Sequence, residues 1–147
     1  METFKVLFVD DEIDFLETLM KRMKKRGVDV AGVGSGEQAL DYLNEQPVDV
    51  IVLDVRMPGI GGINTLKEIK KMDPLMEVIM LTGHASIEAA IEGMQSGAFD
   101  YLMKPADFDE LFYKLQDAVK RRTIQKQKIE KLGNIRLTDQ KKGAIST

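Results

Sequence analysis

This sequence predicts an α/β domain in which helices cover both faces of a parallel sheet. Two observations carry that reading. Short apolar, β-branched runs alternate with segments of helical spacing over residues 5–119. The runs are apolar at nearly every position rather than at alternate ones, the pattern of strands buried on both faces. Such an alternation implies right-handed crossovers and short loops.

Taken in order, the runs predict strands over 5–9, 28–33, 49–53, 77–82 and 99–103. Ile13, Leu16, Leu19, Met20 and Met23 share one face of a first helix, which Gly27 would end in a left-handed cap. Ser35 is a candidate N-cap for a second helix, with Pro47 beyond its end. Ile63, Leu66 and Ile69 mark a third, stopped before Pro74. Ser86 would cap a fourth, running through Ala90, Ile91 and Met94 to Gly97. Asp107, with Glu110 three residues on, opens a fifth as a capping box. Leu111, Leu115, Ala118 and Val119 give that helix its apolar stripe, and nothing breaks it before Gly133.

The 147 residues allow one domain and an extension, with the boundary expected near residue 121. Residues 1–119 carry 12 Lys/Arg and 22 Asp/Glu, whereas 120–147 carry nine basic and two acidic residues. An acidic body therefore precedes a basic tail, read as a helical extension or linker stub over 122–147 whose last 14 residues are disordered. There is no cysteine, which excludes a disulfide framework and thiol chemistry. The first residues do not read as a signal peptide, and no segment approaches the roughly 18 apolar residues of a membrane span. A soluble cytoplasmic protein is expected.

Reactive side chains gather at the strand ends. The first run closes in Asp10-Asp11-Glu12, the third in Asp54, the fourth in Thr82-Gly83 and the fifth in Lys104-Pro105. In open parallel sheets the ligand crevice lies at the carboxyl ends of the strands. Acids, a hydroxyl and an amine would thus meet at one edge. Hard carboxylate oxygens suit Mg²⁺, which would be held by Asp10, Asp11 and Asp54 with waters completing the octahedron. Asp54 has the chemistry of a phosphoryl-accepting nucleophile. Lys104 would pair with a phosphoryl oxygen and Thr82 would donate to one.

This constellation resembles the receiver domain of two-component response regulators over residues 4–121. The motifs are Asp10-Asp11, Asp54 with Met57-Pro58-Gly59, Thr82, and Lys104-Pro105. The stretch Leu81-Thr-Gly-His-Ala-Ser, with Gly97-Ala-Phe-Asp-Tyr-Leu-Met-Lys-Pro105, is most similar to receivers of σ54-dependent transcriptional activators. The resemblance implies a five-stranded flavodoxin-like sheet of order 2-1-3-4-5. It implies transfer of a phosphoryl group to Asp54 from a phosphohistidine of a sensor histidine kinase or phosphotransfer protein. Asp11 is then the expected direct metal ligand and Asp10 the water-bridged one, with the Arg56 backbone carbonyl as a further ligand. It implies a switch in which Thr82 draws in the loop after strand four and Tyr101 turns inward. The helix 4–strand 5–helix 5 surface would change as a result. Arg56 and His84, each two residues beyond a site residue, occupy positions that tune loss of the phosphoryl group.

Two departures from the family pattern stand out: Gly61-Gly62, read as a looser turn before helix three, and Ala106 after Lys104-Pro105. A homodimer through the helix 4–strand 5–helix 5 surface or the C-terminal helix is a candidate assembly. Leu111, Leu115, Ala118, Arg122, Gln125, Ile129 and Leu132 follow a 4-3 spacing, though two of these positions are polar. No nucleic-acid-binding motif is present, so no direct nucleic-acid contact is expected of this chain. A stand-alone receiver without DNA output is the alternative to control of transcription. An Asp-nucleophile phosphohydrolase is disfavoured because Arg56 stands where those enzymes typically carry an acid. A pure interaction module would have no use for the acidic pair and the lysine.

Overall fold

The computed structural model of the protein describes residues 3–57, 59–83 and 87–145, with side chains as far as Ile135. Five strands alternate with five helices: β1 (Lys5–Val9), α1 (Ile13–Lys25), β2 (Asp29–Val33), α2 (Gly36–Glu45), β3 (Val50–Leu53), α3 (Gly62–Met72), β4 (Val78–Thr82), α4 (Ile87–Gln95), β5 (Asp100–Met103) and α5 (Phe108–Ile145). The strands form one parallel sheet of order β2-β1-β3-β4-β5, as the family resemblance implied. β1 has its predicted bounds, and each of the other strands starts one residue later than its apolar run.

The sheet divides the core in two. Val6, Phe8, Val52, Ile79 and Leu81 point to one face and pack against Leu16 and Met23 of α1 and Leu111, Leu115 and Ala118 of α5. Leu7, Val9, Ile51, Leu53, Val78 and Met80 point to the other, against Ala39 of α2 and Leu66 and Ile69 of α3. Successive strand residues face opposite ways, so strands sandwiched between two helical layers must be apolar throughout.

Capping chemistry sets several helix ends. The Ser35 hydroxyl accepts from the Gln38 N–H at 3.1 Å, and the Asp107 carboxylate accepts from the Glu110 N–H at 3.0 Å. Gly27 follows α1 with φ +82°, the left-handed cap expected of it. Ser86, expected to cap α4, lies outside the described residues.

Three expectations need correction. Ile13 is exposed; Phe15 turns inward in its place, because residues 15, 19 and 23 and not 13 align with the sheet. On α4, Ile91 and Met94 face solvent with Ile87, and the buried residue is Gly93. A Cβ there would stand 2.2 Å from the Met80 sulfur, so α4 meets the sheet by close backbone approach and leaves its large apolar side chains outside. Finally, α5 continues through Gly133 to Ile145; an isolated glycine costs a helix only about 1 kcal/mol. Arg122 is the last buried residue on α5 among those whose side chains are described.

Candidate functional site

Strand register assembles the site. Val9 pairs with Leu53, so the next residues along, Asp10 and Asp54, leave adjacent strands side by side. The Asp54 N–H donates to the Val9 carbonyl at 2.9 Å, and the Asp10 N–H to the Val33 carbonyl at 3.1 Å. Thr82 pairs with Met103, and the Lys104 N–H then donates to the Thr82 carbonyl at 2.7 Å. Lys104-Pro105 is a cis peptide.

The two buried aspartates are held alike. Oδ1 of Asp10 accepts the Glu12 N–H at 2.9 Å, and Oδ1 of Asp54 accepts the Arg56 N–H at 3.2 Å. Each thereby closes a local turn with a residue two positions on. The Oδ2 atoms are left to face Lys104, whose Nζ lies 2.7 Å from Asp10 and 3.8 Å from Asp54. Nζ also donates to Glu12 Oε1 at 3.1 Å and sits 4.3 Å from the centroid of the Phe15 ring.

The electrostatics follow from burial. Loss of water around Asp54, reinforced by the Asp10 charge, pushes its carboxyl up to about 6; Lys104 and the Arg56 N–H work against that rise. Burial alone would lower the Lys104 ammonium, but its hydrogen bond to Asp10 and the Asp54 charge outweigh this and raise it.

One carboxylate oxygen from each of Asp10, Glu12 and Asp54 lies within 4.8 Å of the others. Three acids facing one ammonium leave surplus negative charge on hard oxygen donors, a set that fits Mg²⁺. The cluster differs from the expected trio. Asp11 is exposed and its charge is felt at Asp54, while Glu12 joins the two buried acids. Glu12 occupies the N-cap of α1 but makes no side-chain cap bond, its carboxylate being turned to Lys104. Glu12 and Phe15 are the contacts that sequence reasoning missed. In the sequence the acid reads only as the last of the run that closes the first strand, and the aromatic lies off the predicted stripe.

Thr82 is fully buried at the end of β4, and Tyr101 is half-buried against the α2–α3 side of the core, paired with Met80. Arg56 has its backbone at the site and its side chain exposed. His84, like Pro58, lies outside the described residues.

Gly61 and Gly62 are not slack. Gly61 caps α3 at φ +78°, and a Cβ on Gly62 would stand 2.3 Å from the Asp54 carbonyl oxygen. The α3 backbone therefore rests directly on the chain that leaves β3 at Asp54 and Val55, which only glycine at position 62 permits.

Residues 6–116 match the family model described as the response regulator receiver domain. The chain is 42% identical over 118 residues to the transcriptional regulatory protein ZraR of Escherichia coli K12, covering 80% of this chain and 27% of that protein. It is 40% identical over 102 residues to the DNA-binding transcriptional regulator NtrC of Klebsiella pneumoniae, covering 69% and 22%. The chain thus spans about a quarter of the length of these relatives. Among solved structures it is similar to the receiver domain of the Francisella response regulator 1452, at 36% identity and TM-score 0.75, covering 80% of this chain and 98% of that one. It is also similar to NtrX from Brucella abortus, at 27% identity and TM-score 0.80, covering 86% and 29%.

Proposed function

Because this chain belongs to the response regulator receiver domain family of two-component signalling, we propose that it is a phosphorylation-dependent switch with Asp54 as the acceptor. One observation supports this above the others. Lys104 Nζ bonds Asp10 at 2.7 Å and stands 3.8 Å from Asp54, so a nucleophile, its counter-charge and a cation-binding acid share one buried edge.

The donor is a phosphohistidine of a sensor histidine kinase or phosphotransfer protein. An Asp54 carboxylate oxygen attacks phosphorus, the P–N bond breaks and its electron pair returns to the imidazole, which takes up a proton. An acyl phosphate on Asp54 results. Water later attacks phosphorus, releasing inorganic phosphate and restoring the carboxylate. Asp10, Asp11 and Asp54 would hold Mg²⁺, with the Arg56 carbonyl as a further oxygen donor and the Glu12 carboxylate in the same acidic cluster. When bound, Mg²⁺ supplies charge neutralisation for the phosphoryl oxygens. Lys104 moves from Asp10 toward a phosphoryl oxygen, and the buried Thr82 hydroxyl donates to another.

The new charge is then felt across β4 and β5, where Tyr101 pairs with Met80 beneath Gly93 of α4. Ile91 and Met94 on α4, Met103 on β5 and Tyr113 on α5 are exposed apolar side chains on the three elements whose surface would change. They form the candidate contact for an output partner or a second copy. Transcription control is the proposed output, by analogy with the names of the relatives. Residues 122–147 are proposed as the extension toward that output.

Intact mass after incubation with acetyl phosphate and Mg²⁺ tests the reading. A gain of one phosphoryl group in wild type, absent in Asp54→Ala, is expected. No gain in wild type would turn the function toward an interaction module that works without phosphorylation.

A further inference from the structure

We infer that Phe15 is a positioning residue of the phosphoryl-transfer site, holding the Lys104 ammonium against Asp10 and Asp54 through the face of its ring. This rests on the reading of Asp54 as acceptor and adds to it a residue outside the acidic, hydroxyl and lysine positions of that site.

The geometry is specific. Lys104 Nζ lies 4.3 Å from the Phe15 centroid, well within the roughly 6 Å over which a ring face attracts a cation. The Lys104 side chain is 9% exposed, so the contact is largely shielded from water and not screened as a surface pair would be. Phe15 is itself anchored. It packs against the core layer beneath α1, and it helps line a space of about 10 Å³ shared with Asp10, Asp54, Phe8 and Leu81. The ring is therefore fixed from below and faces the ammonium.

The chemistry gives the contact a purpose that a carboxylate would not serve. An ammonium has three N–H donors. Asp10 and Glu12 accept from it, at 2.7 and 3.1 Å. Asp54 is already a third acid at 3.8 Å; a fourth carboxylate in place of the ring would compete for the remaining donor and add repulsion at Asp54, whose carboxyl is already pushed up by burial and the Asp10 charge. The ring's quadrupole attracts the cation without being a directed acceptor and without adding net charge. It keeps the ammonium at the site while leaving a donor for the incoming phosphoryl oxygen. A residue serving only as core filler would need volume and apolarity, which leucine and methionine also offer.

The test separates ring electronics from packing. Phe15→Leu, and Phe15→Met as a second variant should leucine fold poorly, are compared with Phe15→Tyr and with mono-, tri- and pentafluoro-phenylalanine introduced at position 15. Fluorination weakens the negative ring face with little change of shape. Initial rates of Mg²⁺-dependent mass gain from acetyl phosphate are the readout, with urea midpoints measured alongside. The expected result is a rate about three- to ten-fold lower in Phe15→Leu or Phe15→Met, near wild type in Phe15→Tyr, and falling stepwise with fluorination at an unchanged midpoint. Rates indifferent to fluorination, or equal in wild type and the aliphatic variants, would overturn the role of Phe15 and leave the acceptor reading standing. A wild type that gains no phosphoryl group would remove both.

Discussion

Asp54 is destabilised by its own burial, and that gives the resting site a pH signature. Its carboxyl titrates near 6, above the ordinary value of 3.8, because burial and the Asp10 charge disfavour the anion. A raised folded-state value means the favourable term is full below about pH 3.8 and is lost as pH rises through about 6. Without metal, Asp54 therefore detracts from stability at neutral pH, by on the order of 1–3 kcal/mol. Asp54→Asn should be the more stable protein at pH 7.5 by that amount, with the difference closing towards pH 4. Urea denaturation of both proteins in EDTA measures it. A variant less stable than wild type at pH 7.5 would show that the Lys104 ion pair outweighs burial. The same residue explains Gly62, since α3 can approach the Asp54 carbonyl only where no Cβ intervenes.

Among the elements, α5 is the one that ties the sheet to the C-terminal extension. Where it leaves the body, Arg121 Nε lies 2.6 Å from Oε2 of the buried Glu77, and Arg122 donates to Asp73 at 2.8 Å. Lys70 stands 3.9 Å from the same glutamate, and the Arg121 guanidinium lies 5.2 Å from the centroid of the Phe99 ring. Glu77 directly precedes β4, the strand whose far end carries Thr82. Arg121 thus ties α5 to the residue before the strand that carries Thr82, and Arg122 ties it to the end of α3. Burial raises the Glu77 carboxyl in spite of its cationic neighbours, so removing one of them leaves a poorly compensated buried acid. Arg121→Ala is expected to lose about 1–3 kcal/mol by urea denaturation, discounted from the fully buried case because half of the arginine side chain is exposed. In the double variant with Glu77→Leu most of that loss should be recovered. A double variant no more stable than Arg121→Ala would contradict the account.

For the molecule as a whole, the fold class and most of the site were legible because both depend on local signals. Apolar runs located all five strands, and their terminal residues fell at one edge because the sheet is parallel. Asp10, Asp54 and Lys104 are where the sequence predicted them. The features that were not legible depended on which way a side chain turns. Asp11 and Glu12 are both exposed acids after β1, and nothing in their order tells that Glu12 is the one bonded to Lys104. Ile13 and Phe15 are both apolar at the start of α1, and tertiary packing chose the aromatic. On α4, an apolar pattern at helical spacing meant an outer surface rather than a core, because Gly93 makes the contact with the sheet. None of the helices, among the described residues, is long and apolar enough to cross a membrane.

Charge added at Asp54 is proposed to reach the surface of α4, β5 and α5. Backbone amide NMR with beryllofluoride, a tetrahedral mimic of an acyl phosphate, tests it most directly. With Mg²⁺ present, the wild type should show large shifts at Asp54, Thr82 and Lys104 and across residues 87–119, and Asp54→Asn should show none. Shifts confined to the immediate neighbours of Asp54, or equal in both proteins, would contradict it.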